Sequence, residues 1–479
     1  MRLNKRDSRS GAPDRPHHAP APAPLAPRPR RVWLVALGML ALTVRPASAD
    51  TLQDALAHAY AYNTDLVAAR AHLRSVDEQV PQALSGWRPS VTVNGGSGYQ
   101  TFNTNTSRLI PAPFGYQQYY IGGNVQLKQP LYSGGGTVAG VAQAEANVRA
   151  ARADLLGTEQ TVLMNAATAY DDVLRSRALT ALNREIEVLL RRKLREITIR
   201  KDAGQLTQTD IDQTASRLAA ASANRITAEG NLAAADARFI AAVGRPPQEG
   251  MAVHGLPPIM PRNVGEAIRL AEANSPTVIA SLFRLDAAQQ AITVARASLM
   301  PNLSLQAQAG KDQGQSVPTV ATNSASLTLN LSVPIYQGGA ASSKLRQAKA
   351  DAAESQIKTL SSRRDARKNA EAAFATWRAA VDRLAQEQIQ VKLAESAYDG
   401  VRKEAALGAK STFELLGQLQ ELFNARTNEV QARYDVSSNA YQLLVAIGRF
   451  TAADLRLRVQ AFDPTENYNQ VRNAASPFP

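Results

Sequence analysis

The residues that could do chemistry in this chain are few, and their spacing argues against catalysis. Of five histidines, His17 and His18 fall in the first 49 residues. His58, His72 and His254 are scattered, with no HExxH pattern and no acidic cluster beside them in sequence, so no metal site is expected. Cysteine is absent, which excludes disulfides, thiolate metal ligands and a lipidated N-terminal cysteine. Gly134-Gly135-Gly136 opens a helical segment as a phosphate loop would, yet no Gly-Lys-Ser/Thr follows. No Ser-His-Asp or Cys-His arrangement can be assembled. No cofactor is expected, and energy for any work must come from a partner.

What the spacing does show is duplication. Pro130-Leu131-Tyr132-Ser133-Gly134-Gly135 returns as Pro334-Ile335-Tyr336-Gln337-Gly338-Gly339, a shift of 204 residues (334 − 130). The same shift carries Gln143-Ala144 onto Gln347-Ala348, Gly204 onto Gly408, and Gly244-Arg245 onto Gly448-Arg449. The chain is two internal repeats, 50–245 and 263–449, joined by a proline-bearing linker, 246–262, and followed by a tail, 450–479. The tail has no functional reading beyond a short helix expected at its start.

Each repeat predicts the same order of elements. Leu52, Ala55, Leu56 and Ala59 recur at helical spacing in 50–86, with Asp50 or Thr51 as the cap, and the matching helix starts near Asn263. Pro89 and Pro301, 212 residues apart, end these helices. The shift falls from 212 to 204 before Pro130 and Pro334, so the first repeat carries eight extra residues, expected in a loop. Strands lie between the prolines. Leu327, Leu329, Leu331 and Val333 alternate with Thr328, Asn330 and Ser332; Leu303, Leu305, Ala307 and Ala309 alternate with Ser304, Gln306 and Gln308. Val91, Val93, Val125 and Leu127 mark the first pair. Tyr99, Phe102, Phe114, Tyr116, Tyr119 and Tyr120 cluster between them, an enrichment that suits a membrane interface. Two hairpins are too few for a transmembrane barrel, which starts at about eight strands, so a barrel requires several chains.

No proline interrupts 131–245 or 335–463. Apolar residues recur by sevens at Val141, Val148, Leu155 and Val162, again at Leu182 and Leu189, and in the second repeat at Leu384, Val391 and Tyr398, which is coiled-coil spacing. Thr137–Arg200 and Ala341–Glu404 would each make a helix of about 96 Å at ~1.5 Å per residue. Each breaks at a glycine, Gly204 or Gly408, and a second helix returns over 205–243 or 409–447. The helix ahead of the strands is expected to cover the rest of its long partner, end to end with the returning one. Alanine-rich faces permit close approach but bury little area, so such a rod gains most from neighbours around a ring.

Residues 1–49 are expected to be an export signal. Arg28, Arg30 and Arg31 precede an apolar run from Val32 to Val44, and Ala47-Ser48-Ala49 offers a cleavage site before Asp50. The run of 13 residues is short of the ~20 that a spanning helix needs. The leader carries +7 of the formal +13, leaving +6 (13 − 7) spread along the mature chain, a poor match to nucleic acid.

The duplicated strand–strand–long-helix unit, the Pro-x-Tyr-x-Gly-Gly turns, the Gly204 and Gly408 tips, and Ala-Val-Gly-Arg and Ala-Ile-Gly-Arg at 242–245 and 446–449 resemble the TolC family of trimeric outer-membrane channel proteins. The likeness covers nearly all of the mature chain and leans to the CyaE-like, type I secretion branch. It implies an α+β membrane protein: a homotrimer in which each chain gives four strands to one 12-stranded transmembrane β-barrel that continues into a long α-helical coiled-coil barrel in the periplasm. It implies Pro130, Tyr132, Gly134, Gly135, Pro334, Tyr336, Gly338 and Gly339 as strand-to-helix turns, and Ala203, Gly204, Gln205, Leu407, Gly408 and Ala409 as tips that touch an adaptor. It also implies Asp210 and Lys410 as links that close the periplasmic entrance, and Glu414 as its acidic ring. The family's second acidic position is Gly417 here, so the ring would be single and cation block weaker.

The partners implied are a periplasmic adaptor (membrane fusion protein), an inner-membrane ABC transporter or other pump, and outer-membrane lipid, with no nucleic acid. The function implied is a duct for a secreted protein toxin or similar cargo. The alternatives are the outer-membrane component of a multidrug efflux pump and a periplasmic coiled-coil adaptor. Two helical hairpins and two pairs of alternating strands speak against the last.

Overall fold

Prolines, glycines and short polar caps set the element boundaries. The computed structural model describes residues 50–104, 114–257, 259–314 and 321–475. The export signal expected over 1–49 lies outside the described residues, as does the end of the tail.

The first repeat opens with three helices, α1 (Leu52–Tyr62), α2 (Thr64–Asp77) and α3 (Gln79–Leu84), and a short 3-10 turn at Ser85–Trp87. Thr51, not Asp50, caps α1: its side chain accepts from the Asp54 N–H. A single helix was expected over 50–86. It breaks at Asn63, whose side chain caps α2 by accepting from Asp65 and Leu66. Strands β1 (Ser90–Thr104) and β2 (Phe114–Ser133) follow, then the long helix α4 (Gly136–Asp202) and the returning helix α5 (Gln208–Val243). The second repeat runs α6 (Val264–Asn274), α7 (Pro276–Ala297), β3 (Asn302–Gln313), β4 (Ala321–Ser332), α8 (Ala340–Ala406) and α9 (Thr412–Ala446), and α10 (Glu466–Val471) lies in the tail. Asn63 and Ser275, the two helix breaks, are 212 residues apart (275 − 63). In the second repeat Pro276 sits at the first helical position, where its missing N–H costs nothing.

The repeats are superposable in sequence to the residue. Adding 204 carries Gly136–Asp202 onto Ala340–Ala406, and subtracting 212 carries Val264–Asn274 onto Leu52–Tyr62. The eight extra residues of the first repeat are mainly in the strands, not the loop expected. β1 has 15 residues against 12 in β3, and Phe114 to Pro130 spans three residues more than Ala321 to Pro334, which makes six of the eight; β2 also continues over 129–133, whose counterparts 333–337 lie beyond β4. The strands form one antiparallel sheet in chain order, β1-β2-β3-β4.

The core lies where α1, α2 and α5 to α9 meet the middle of α4. Tyr170, Phe239, Tyr441, Leu443, Leu444 and Phe450 are fully buried there. The linker is pinned into this region. Asp50 and Met251 form a bridge, Arg245 reaches the Asp50 carboxylate at 2.6 Å, and the Tyr170 hydroxyl lies 2.7 Å from the carbonyl oxygens of both Asp50 and Ala252. The tail, which had no expected role, is a strap that runs back along the first three helices. Arg70 stacks on Tyr60 and Phe462, Asn467 donates to Asp77 at 2.9 Å, Arg472 pairs with Glu145 at 3.0 Å, and Arg88 donates to the Ala474 carbonyl at 2.6 Å.

His254 has no acidic cluster beside it in sequence. Folding brings Asp171 from α4 to within 2.7 Å of its Nε2, and the Tyr441 hydroxyl of α9 to 3.1 Å. Burial disfavours the imidazolium, but the Asp171 carboxylate outweighs burial and raises the His254 pKa above its ordinary value. A pKa raised by folding adds stability that is complete below the unfolded value and is lost as pH rises through the folded one. The thermal unfolding midpoint is therefore expected to fall as pH rises above about 6.5, the ordinary histidine value, by a component that His254→Gln abolishes. Identical pH dependence of the two proteins, followed by circular dichroism, would show that the pair is silent.

Candidate functional site: a two-faced sheet and two helix tips

Directly opposed residues of an antiparallel pair project to the same side of the sheet. The register therefore sorts every strand residue onto one of two faces. Val91 opposes Leu127, Leu127 opposes Ala307, and Ala307 opposes Leu327; Val93, Val125, Ala309 and Ala325 form the next row. Leu305 with Leu329 and Leu303 with Leu331 extend this face downwards. The opposite face carries Thr92, Gln126, Gln308 and Ser326, and beside them Asn94, whose amide donates to the Asn124 side chain at 3.0 Å. Tyr120 lies over Gly98 of the neighbouring strand on this polar side, and Asp312 lies over Gly122; a Cβ at either glycine would collide.

Among the described residues nothing covers the apolar face: Val93 is 76% exposed, Leu327 71% and Leu331 66%. A water-soluble sheet would turn this face to a core. Tyr99 pairs with Tyr119 at its upper end, and Tyr132, opposite Leu303, lies at its lower end. From Tyr119 to Tyr132 is about 43 Å along the strand at ~3.3 Å per residue, or ~33 Å in height at a tilt of ~40°. The mainly apolar rows of this face run from Val125 to Tyr132, about 23 Å along the strand at ~3.3 Å per residue, and between them and Tyr119 the same face carries Lys311 and Asn323 in the row of Gly123. The side chains of Phe102, Phe114 and Tyr116, also expected in the aromatic cluster, lie outside the described residues.

Left-handed glycines lie between strand and long helix in each repeat. Gly134, Gly135, Gly338 and Gly339 have φ of 63°, 84°, 62° and 82°, the left-handed region that side chains disfavour. The two turns are not alike in their surroundings. Pro130 and Tyr132 fall inside β2, where the register slips by one residue, and Gly134 packs on Ala297 and Met300. Pro334 and Tyr336 follow the end of β4, and nothing approaches Gly338 or Gly339.

At the far end each long helix closes on a left-handed glycine. Gly204 and Gly408 have φ of 72° and 77°, and Gln205 and Ala409 donate back to Arg200 and Glu404 at 2.9 Å. Ala203, Gly204, Gln205, Leu407, Gly408 and Ala409 are all exposed. Asp210 and Glu414 are repeat mates (414 − 210 = 204), and both are the third residue of a capping box. Asp210 accepts from the Thr207 N–H at 3.0 Å, and Glu414 from the Ser411 N–H at 3.0 Å. Lys410 lies 2.8 Å from Glu414. That ammonium, with the two Ser411 donors, holds the Glu414 carboxyl at about 2. Thr207 likewise lowers Asp210. Within one chain, then, Lys410 engages Glu414, and Asp210 engages its own cap.

A contact that the sequence does not announce joins the two tips. Arg217 of α5 donates to the Leu416 carbonyl of α9 at 3.0 Å and sits 5.9 Å from the Phe413 ring. No spacing rule links residues 199 positions apart, and a lone arginine on a helix face is ordinarily solvated.

The two-faced sheet makes a direct prediction. Leu329→Arg puts a cation on the apolar face and should cost about 2–4 kcal/mol of insertion into lipid vesicles. Thr328→Arg, one residue away on the polar face, should insert as the parent does. The shift in gel mobility on folding reads both, and equal behaviour of the two variants would contradict the assignment of faces.

The profile of the outer membrane efflux protein family matches residues 55–245 and 267–449, the two repeats. The outer membrane efflux protein BepC of Brucella suis is 31% identical over 450 residues, covering 92% of this chain and 94% of that protein. The proteases secretion protein PrtF of Dickeya chrysanthemi is 26% identical, covering 85% and 89%. Among solved structures, the CmeC outer membrane channel of Campylobacter jejuni superposes with a TM-score of 0.74 at 16% identity, covering 94% of this chain and 98% of that one. The chain belongs to the outer membrane efflux protein family, the TolC-like outer-membrane channels with a periplasmic helical extension that its doubled sequence resembles.

Proposed function

We propose that three copies of this chain form an export duct. The observation that carries the proposal is the sheet: among the described residues one face is apolar and uncovered, the other polar, and both end strands, β1 and β4, are unpaired on their outer edges. Four strands from each of three chains make a 12-stranded barrel with the apolar face in lipid and the polar face around water. The 67-residue helices α4 and α8 are the next elements after β2 and β4, so in this reading the lumen continues through the periplasm as a helical tunnel about 100 Å long at ~1.5 Å per residue.

The narrow end is the pair of tips. There Glu414 from each copy makes an acidic ring, with Asp210, Lys410 and Arg217 holding neighbouring helices together. The exposed 203–205 and 407–409 turns face a periplasmic adaptor, through which an inner-membrane ABC transporter or other pump supplies energy. Our first reading of the cargo is a polypeptide, a toxin or similar protein secreted in one step; the relative PrtF is named for protease secretion. The second reading is drug efflux, favoured by the higher identity to the efflux protein BepC.

Purified protein in a planar bilayer is expected to give discrete conductance, and its absence after proven insertion would contradict the duct. Divalent cations added on the tip side should block weakly, because Lys410 offsets Glu414. Glu414→Gln should weaken the block further, and Lys410→Gln should strengthen it several-fold by unmasking the ring. For the cargo, deletion of the chain should remove a large protein from the culture supernatant; loss of drug resistance with an unchanged supernatant would select efflux.

A further inference from the structure

A single charge stands on the apolar face of the sheet. Lys311 of β3 opposes Gly123 on one side and Asn323 on the other, and Gly95 completes the row. Every other strand residue on this side, among those described, is uncharged. Asp312, the next residue, does not neutralise it, because it projects to the polar face and lies over Gly122. Ionisable side chains in membrane-spanning segments ordinarily turn to a protein interior or a pore, and Lys311 turns the other way. In the duct reading, on which this inference rests, it faces lipid.

Register sets its height. Leu303 opposes Tyr132 at the lower end of the face, and Lys311 is eight residues further along β3 (311 − 303). That is about 26 Å along the strand at ~3.3 Å per residue, or ~20 Å in height at a tilt of ~40°. An apolar band of ~25 Å that starts at Tyr132 would end about 5 Å above Lys311. A lysine covers that gap by laying its four-carbon stem on apolar neighbours and lifting the ammonium to the headgroups. The long helices leave the other end of the sheet for the periplasm, so these headgroups belong to the outer leaflet.

The surroundings let a headgroup come close. Lys311, Gly123 and Asn323 are all exposed. The row has no side chain at Gly123 or Gly95, and a Cβ at Gly95 would meet only the Gly122 carbonyl oxygen, at 3.9 Å. Ala309 and Ala325 lie in the next row down. A shallow notch floored by backbone therefore adjoins the ammonium on one side, and the Asn323 amide flanks it on the other. We propose that Lys311 and Asn323 bind the phosphate of an outer-leaflet lipid, one lipid for each chain, with the start of an acyl chain lying in the glycine notch. The ammonium supplies a charge-assisted hydrogen bond and the amide a second donor. Beside hydrocarbon such a pair is stronger than in water, because the local dielectric is lower. A neutral headgroup would leave the lysine unmatched there.

Native mass spectrometry of the detergent-extracted protein, titrated with diphosphoryl lipid A, tests this. Binding is expected to saturate at one lipid for each chain. Lys311→Gln should weaken it about fivefold, the worth of one lysine near a charged membrane surface, and Lys311→Arg should restore it. Lipid A stripped of both phosphates should bind the unaltered protein about as weakly as diphosphoryl lipid A binds Lys311→Gln. That comparison of two lipids needs no variant, so it holds even if a substitution disturbs folding. Excess inorganic phosphate should leave the lipid bound; displacement would mean a site for the free anion and would overturn the lipid assignment. Equal affinity of the unaltered protein for the two lipids, or of the parent and Lys311→Gln for diphosphoryl lipid A, would overturn the site and leave a conducting duct standing. A protein that neither conducts nor enters vesicles would overturn both.

Discussion

A sheet with open edges cannot rest in hydrocarbon. Each unpaired backbone N–H or C=O there costs several kcal/mol, because no water reaches it. The apolar face of β1 to β4 asks for lipid, while the outer edges of β1 and β4 forbid it until another strand pairs with them. Closure with further copies satisfies both demands at once. In the proposed duct the helices inherit that closure, since a pair of left-handed glycines opens each long helix after the strand before it. In the proposed duct, whatever ring the strands make, the helices must continue.

The helical wall is thin, and its side chains are small. Alanine supplies much of the buried surface of α4, so stability depends on having a helix on each flank more than on a deep core. Charge networks hold the hairpins in register. Glu187 of α4 takes Arg191, Arg225 and Ser222 at 2.7–2.9 Å, which joins α4 to α5. At the tips the same economy recurs: Asp210 and Glu414 start their helices and, in the proposed duct, also carry the negative charge of its narrow end. A residue with both duties needs a test that separates charge from folding, because loss of the cap and loss of the ring arrive together.

Much of this organisation was legible in the sequence, and the reason is geometric. A positive φ selects glycine and a helix end selects proline, so Gly134, Gly204, Gly338, Gly408, Pro89 and Pro301 mark boundaries that the fold keeps. Alternation over Leu327–Leu331 gave the sheet faces, because period two is a property of the strand alone. What stayed hidden was non-local or depended on capping choices. Asn63 can continue a helix or cap the next one, and only packing decides; its break, with a second at Glu78, made three helices of the one expected. The pairing of His254 with Asp171, the strap of the tail over Asp77 and Glu145, and Arg217 on Leu416 all join distant residues. The eight extra residues lengthen strands because the aromatic segment pairs with itself across Tyr99 and Tyr119. Asp210 and Glu414 were separable by resemblance and identical by repeat position, and the capping boxes reveal the identity.

The number of chains in one conducting particle tests the central claim most directly. Native mass spectrometry of the mature protein, extracted in lipid discs and shown to conduct from the same preparation, should give three times the chain mass and no smaller conducting species. A conducting particle of one chain would mean that four strands close a pore unaided, and would contradict the account.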